Sequence, residues 1–178
     1  LHRVSMEGEA EGPAFLEDYA LMIGALIDLY EVDGQSRWLT AALELQKKVD
    51  QDYFDEEGGG YFRTSDDAEV LIAREKPLDD GVIPSGNSVA ADNLLRLGTL
   101  VGEQAYLERL SQVRSAFRAS LEAQPTRAPH LLSTLSDERM GMREIVIVTP
   151  EGSQDAEAMM APLRDLYGTN RVVAVTEA

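Results

Sequence analysis

The chain has no cysteine among its 178 residues. That excludes thiol catalysis, disulfides and Cys-ligated metals within it, and leaves the redox compartment open. Histidine is nearly absent as well: His2 and His130 are the only two. No His/Asp/Glu cluster has metal-ligand spacing, so no metal site is expected. The segment VTPEGS after an apolar run near the C-terminus carries one glycine and no lysine, a poor cradle for nucleotide phosphate. No cofactor is expected. Basic residues are scarce, 16 against 32 acidic ones, for a net charge of −16. Phosphate backbones and anionic lipid repel such a chain, so neither nucleic acid nor a membrane surface is expected as a partner. Long apolar runs are missing too. Gly24, Asp28 and Glu31 interrupt the best candidate, well short of the roughly 20 residues that a membrane helix needs. The opening LHRVSMEGEAEG resembles neither a signal peptide nor a natural start, and it reads as the beginning of a fragment.

Against these absences stands one informative stretch, Lys76–Leu97, KPLDDGVIPSGNSVAADNLLRL. A turn rich in Asp, Gly and Pro runs straight into a helix that is apolar on nearly every side. Pro84 fixes the approach, and Ser85, Asn87 or Ser88 can cap the first free amides. Gly86 lacks a β-carbon, so another backbone or a ligand could come close there. Such a helix, buried all round with polar groups at its N-terminal mouth, suits the inner wall of a helical barrel.

The length suffices for one domain, or one domain with a small appendage. Pro13 at a first-turn position predicts a helix from about Ala14 to Val32. Its apolar residues cover almost the whole circumference, so burial on both sides is expected. After Asp33-Gly34 a second helix, about Ser36 to Tyr53, is apolar on one face only: Trp38, Leu39, Ala42, Leu45 and Val49. The pattern then recurs. A broadly apolar helix from about Ser85 to Leu100 is followed by a one-sided helix from about Gln104 to Ala123. The junctions Gly34-Gln35-Ser36-Arg37-Trp38-Leu39 and Gly102-Glu103-Gln104-Ala105-Tyr106-Leu107 match at a period of about 68 residues, which makes the unit a helical hairpin. One helix of each hairpin faces in and the other out.

Between the hairpins, YFRT and EVLIAREK read as an inserted β-hairpin near residues 60–76. A short helix is expected near His130 to Leu135. REIVIVTP, a helix around Ser153 to Tyr167, and RVVAVTE then have the spacing of a parallel strand–helix–strand crossover. The expected fold is mainly α: a partial α/α toroid over residues 1–138, with its β-hairpin insert, and a C-terminal βαβ unit over 139–178. Two parallel strands alone form no stable sheet, so they need a neighbour.

FLEDYALMIGALIDLYE, GGGYFRT, DDGVIPSGNSVAADNLLRL and the terminal EIVIV unit resemble the C-terminal part of the thioredoxin-domain-containing, spermatogenesis-associated type of protein family. The resemblance implies an N-terminal thioredoxin-like domain joined to a six-hairpin-glycosidase-like barrel, the fold shared with N-acylglucosamine 2-epimerases. It also implies partners: the N-terminal barrel and thioredoxin-like regions, or another copy of the chain. No family redox motif carries over, because the thioredoxin-like half and all cysteines are absent. Only about two of six hairpins are visible, and a cytoplasmic location is expected.

Two functions follow from these readings. In the first, the domain binds or processes a carbohydrate. Asp18 and Asp80, at the mouths of the two inner helices, are the candidate acid and base. Tyr19, Tyr61, Arg74, Ser85 and Asn87 are candidate hydroxyl- or anion-binding residues around them. Each has a structural alternative: helix-start charge, cap, turn or hairpin packing. The second function is a non-catalytic interaction or scaffold module. The inner helices carry no histidine, which counts against epimerase chemistry in this chain.

Overall fold

The chain opens with an antiparallel pair, β1 (His2–Met6) and β2 (Glu9–Pro13), in a stretch whose composition predicts no element. Glu7 and Gly8 form the two-residue turn, both at positive φ (54° and 89°), the backbone twist that tight hairpins favour. The computed structural model describes residues 1–68, 73–150, 156–166, 168 and 170–178. Pro13 ends β2 instead of opening a helix; the first helix, α1 (Leu16–Asp33), starts three residues later.

The remaining helices are α2 (Ser36–Asp52), α3 (Gly86–Val101), α4 (Gln104–Ala123), α5 (Pro129–Met140) and α6 (Ala156–Arg164). The first four match the two expected hairpins to within two residues at each end. The short helix expected near His130 runs on to Met140. Packing follows the hairpin pattern: α1 lies on α2 and α3, and α3 lies on α4 and α5. Leu16, Ile23, Ile27, Leu94, Leu97, Leu110 and Val113 form the fully buried heart of this layer. Each contributes about 2 kcal/mol of transfer free energy.

α3 is buried as expected, with only Asp92, Arg96 and its last turn partly reached by solvent. α1 is not. Leu16, Tyr19, Ala20, Ile23, Leu26, Ile27 and Tyr30 face the core, but Leu21, Met22, Leu29 and Val32 on the opposite flank are 42–49% exposed. The expectation that α1 is covered on both sides is therefore overturned: among the described residues α2 and α3 are its main neighbours, α6 and β4 meet its C-terminal end, and the flank of Leu21, Met22 and Leu29 stays open.

Among the described residues the expected β-hairpin insert near 60–76 shows no paired strands. Tyr61 makes one isolated bridge, to Phe54, and the Arg63 N–H donates to the Glu75 carbonyl at 2.7 Å. The centre of the second arm, residues 69–72, lies outside the described residues. Side chains from elsewhere hold this loop. Gly59 lies so close to α4 that a β-carbon would stand 2.6 Å from the Gln112 carbonyl oxygen, and its φ of +68° also favours glycine.

The C-terminal unit is as expected. β3 (Arg143–Thr149) pairs in parallel with β4 (Arg171–Glu177), from Arg143↔Arg171 to Thr149↔Glu177. α6 covers one face, where Met160 packs on Ile147 and Val173. The remainder of the expected Ser153–Tyr167 helix falls largely outside the described residues. The neighbour that the two strands need comes from this chain: β4 lies against the ends of α1 and α3.

Candidate functional site

The polar groups at the starts of α1 and α3 bond to the fold. Asp18 accepts the Phe15 N–H at 2.8 Å, capping α1, and pairs with Arg3 at 3.3 Å. Asp80 accepts the Ser85 N–H on one oxygen and the His130 N–H on the other, both at 2.8 Å, and so ties the starts of α3 and α5 together. Ser85 is the N-cap of α3 and accepts the Ser88 N–H at 3.2 Å. Asn87 is fully buried; its Oδ1 accepts the Tyr61 N–H at 2.8 Å and its amide donates to the Tyr61 and Pro77 carbonyls.

Tyr19 is buried against the Tyr53 ring, and its hydroxyl accepts from the N-terminal amine at 2.9 Å. Arg74 stacks on Phe62 and donates to the Thr64 and Asp52 carbonyls. Tyr61, also fully buried, donates its hydroxyl to Asp50 at 2.6 Å, while its backbone is bonded to Asn87. Gly86 is approached by a backbone: a β-carbon there would meet the Leu16 side chain at 2.9 Å and the Glu17 nitrogen at 3.2 Å.

Three features escape the sequence reading. The first is a polar cavity of about 330 Å³ at the junction of α1, α3 and α5. Arg96 is its hub, 2.7 Å from Asp28, 3.2 Å from Glu31 and 4.0 Å from Asp92. Burial pushes the Glu31 and Asp92 carboxyls above their usual range, and Arg96 only partly opposes this. The Glu31 Oε1 is buried without a donor among the described residues. Charges three and four residues apart on otherwise apolar helices were the available signal. The second feature is a groove between α2 and α4 with Asp50 on its wall. The run Lys47-Lys48-Val49-Asp50-Gln51-Asp52 reads as a solvated face, which hides it. The third is the open flank of α1, an apolar stripe at positions 21, 22, 25, 29 and 32.

Among the described residues no group of three or more His, Asp or Glu side chains is arranged to hold a metal ion. No described helix is long and apolar enough to cross a membrane.

These features define a mainly helical module of two stacked hairpins with an appended βαβ unit. No protein-family model matches the chain. Over 166 residues, 92% of its length, it is 36% identical to spermatogenesis-associated protein 20 of Mus musculus and 35% identical to that of Homo sapiens. It is also 33% identical, over 80% of its length, to an uncharacterized protein of Caenorhabditis elegans. The chain spans about a fifth of these relatives, 21% of the mammalian proteins and 19% of the nematode one.

Proposed function

We propose that this chain is a non-catalytic interaction module, one sector of a larger helical assembly. The observation that supports it is the open flank of α1. A helix that is apolar all round belongs in an interior. Here Leu21, Met22, Leu29 and Val32 lie on one exposed stripe, and among the described residues no other long helix packs along it. The occupant that fits is an apolar helix of a further hairpin, packed on α1 as α3 packs on the opposite side. The similar proteins are about five times longer, so they have ample chain to supply it. A toroid of the six-hairpin type, with a thioredoxin-like domain beyond it, is the arrangement in which such a flank would be filled.

The carbohydrate-processing reading draws no support from the geometry. Asp18 and Asp80 are engaged as caps on main-chain N–H groups, and Asn87 and Tyr61 have their polar groups committed to the loop and to Asp50.

Light scattering on the isolated chain tests the proposal. Reversible, concentration-dependent association is expected, and Leu21→Glu/Leu29→Glu should abolish it while preserving the helical circular-dichroism signal. A strict monomer at all concentrations, with no binding of an apolar dye, would count against it.

A further inference from the structure

β3 has the sequence of an interior strand and the position of an edge strand. Its centre, Ile145-Val146-Ile147-Val148, is β-branched and apolar on both faces, the pattern of a strand covered on each side in a parallel sheet. Edge strands are normally blunted by lysine, proline or a bulge, and Arg143–Thr149 contains neither lysine nor proline. Cover is one-sided: Ile147 is buried against Met160 of α6, whereas Val146 and Val148 on the other face are 56% and 55% exposed.

The hydrogen bonds around the sheet show which backbone groups are free. The Arg143 N–H donates to the Asn170 carbonyl, and the Thr149 carbonyl accepts the Ala178 N–H, both at 2.9 Å. The odd-numbered residues of β3 therefore point their backbone groups at β4, and by alternation those of Glu144, Val146 and Val148 point outward. Among the described residues no strand pairs with this row of N–H and C=O groups. The outer edge of β4 differs: the Tyr30 hydroxyl bonds both backbone groups of Val175 there. One side of the sheet is sealed and the other is open.

We propose that a third strand, contributed by polypeptide beyond these 178 residues, pairs with the free edge of β3 and covers Val146 and Val148. This rests on the reading of the chain as one sector of a longer protein, but concerns a surface other than the α1 flank. One strand edge and two half-exposed valines offer far less than the roughly 800 Å² per partner of a stable interface, which disfavours a second copy or a free protein as the occupant. A strand on the same polypeptide needs no such area, because its connection holds it at an effective concentration in about the millimolar range. The similar mammalian proteins have length to spare, since the chain spans 21% of them.

Nuclear magnetic resonance of the isotope-labelled chain, titrated to millimolar concentration with the end-blocked octapeptide Lys-Thr-Val-Thr-Val-Thr-Val-Lys, tests it. Before peptide is added, the Glu144, Val146 and Val148 amides should exchange with solvent roughly tenfold or more faster than those of Ile145 and Ile147. The peptide should then shift and protect these three amides saturably. A peptide of equal charge whose central valine is replaced by proline cannot complete the ladder, and should bind roughly tenfold more weakly. Val146→Lys, a change to an exposed side chain that blunts the edge, should weaken binding similarly. Equal exchange of odd and even amides, no shift at millimolar peptide, or equal binding of the proline peptide overturns the proposal. That last result would reveal only attraction of a basic peptide to a chain of charge −16. The α1 flank takes no part in this readout, so it and the light-scattering test with Leu21→Glu/Leu29→Glu can fail separately.

Discussion

Asn87 engages both ends of its amide within one loop, and it does so with no exposed surface. Replacing it with alanine would leave the Tyr61 N–H and two carbonyls without their partner in a dry site. The expected loss is about 3 kcal/mol in urea unfolding. Asn87→Asp should cost nearly as much, because a carboxylate cannot donate; a loss below about 1 kcal/mol in both would contradict this role. Asp92 makes the opposite kind of residue-scale prediction. Burial raises its folded-state pKa above the value of about 4 expected in the unfolded chain. Between those two values the folded state holds more protons, so stability falls as pH rises through the window. Asp92→Asn should therefore raise the melting temperature at pH 7 and flatten its slope on the acid side. The surroundings that set the balance are Arg96, His130, Asp137 and Asp28. An unchanged profile would mean that Arg96 fully neutralises the carboxylate.

At the scale of elements, the alternation of broad and one-sided apolar patterns was enough to locate all four long helices and to put α3 at the centre. It could not tell whether each apolar face of α1 has something to pack on, because periodicity records the helix and not its neighbours. The loop from Tyr53 to Ser85 was illegible for a different reason. Its backbone is held by side chains far along the chain from the groups they bond, Asn87 on Tyr61 and Lys76 on Asp55 and, at 2.7 Å, the Gly59 carbonyl, and Asp80 fixes its far end at Ser85. The candidate site fared likewise: helix caps and clamps occupy Asp18 and Asp80, the groups read as catalytic. Gly86 was legible, and its close neighbour is the start of α1. Gly86→Ala improves intrinsic helix propensity by up to about 1 kcal/mol. It should nevertheless destabilise the fold by about 1–3 kcal/mol, because Leu16 and the Glu17 backbone must move apart. Asp55, in the same loop, is held at about 2 by Lys76 and by the Gly58 and Glu57 amides. A depressed carboxyl contributes stability above its unfolded pKa and loses it as pH falls towards the folded value. Asp55→Asn should thus lower the melting temperature at neutral pH and leave it nearly unchanged near pH 2, as read by a thermal series.

For the whole molecule, the decisive junction is the one between the helical layer and the βαβ unit. A two-stranded parallel sheet with a nine-residue helix is too small to be stable alone. It is held against the C-terminal end of α1. The Tyr30 hydroxyl accepts the Val175 N–H at 3.1 Å and donates to the Val175 carbonyl at 3.4 Å, occupying β4 as a further strand would. Gly34, at a φ of +70°, lets Val175 approach so closely that a β-carbon would stand 2.9 Å from its Cγ2. Arg164 of α6 donates to the Val32 carbonyl at 2.6 Å, adding a second tie. Tyr30→Phe retains the ring and its packing but removes both bonds to β4. The unit should then open locally more often than the rest of the fold, at a cost of about 1–2 kcal/mol. Native-state hydrogen exchange would register this as roughly tenfold faster exchange of β4 and β3 amides, with those of α3 unchanged. Equal acceleration throughout would mean that the strands and helices unfold as one cooperative body, with Tyr30 serving the core and not the junction.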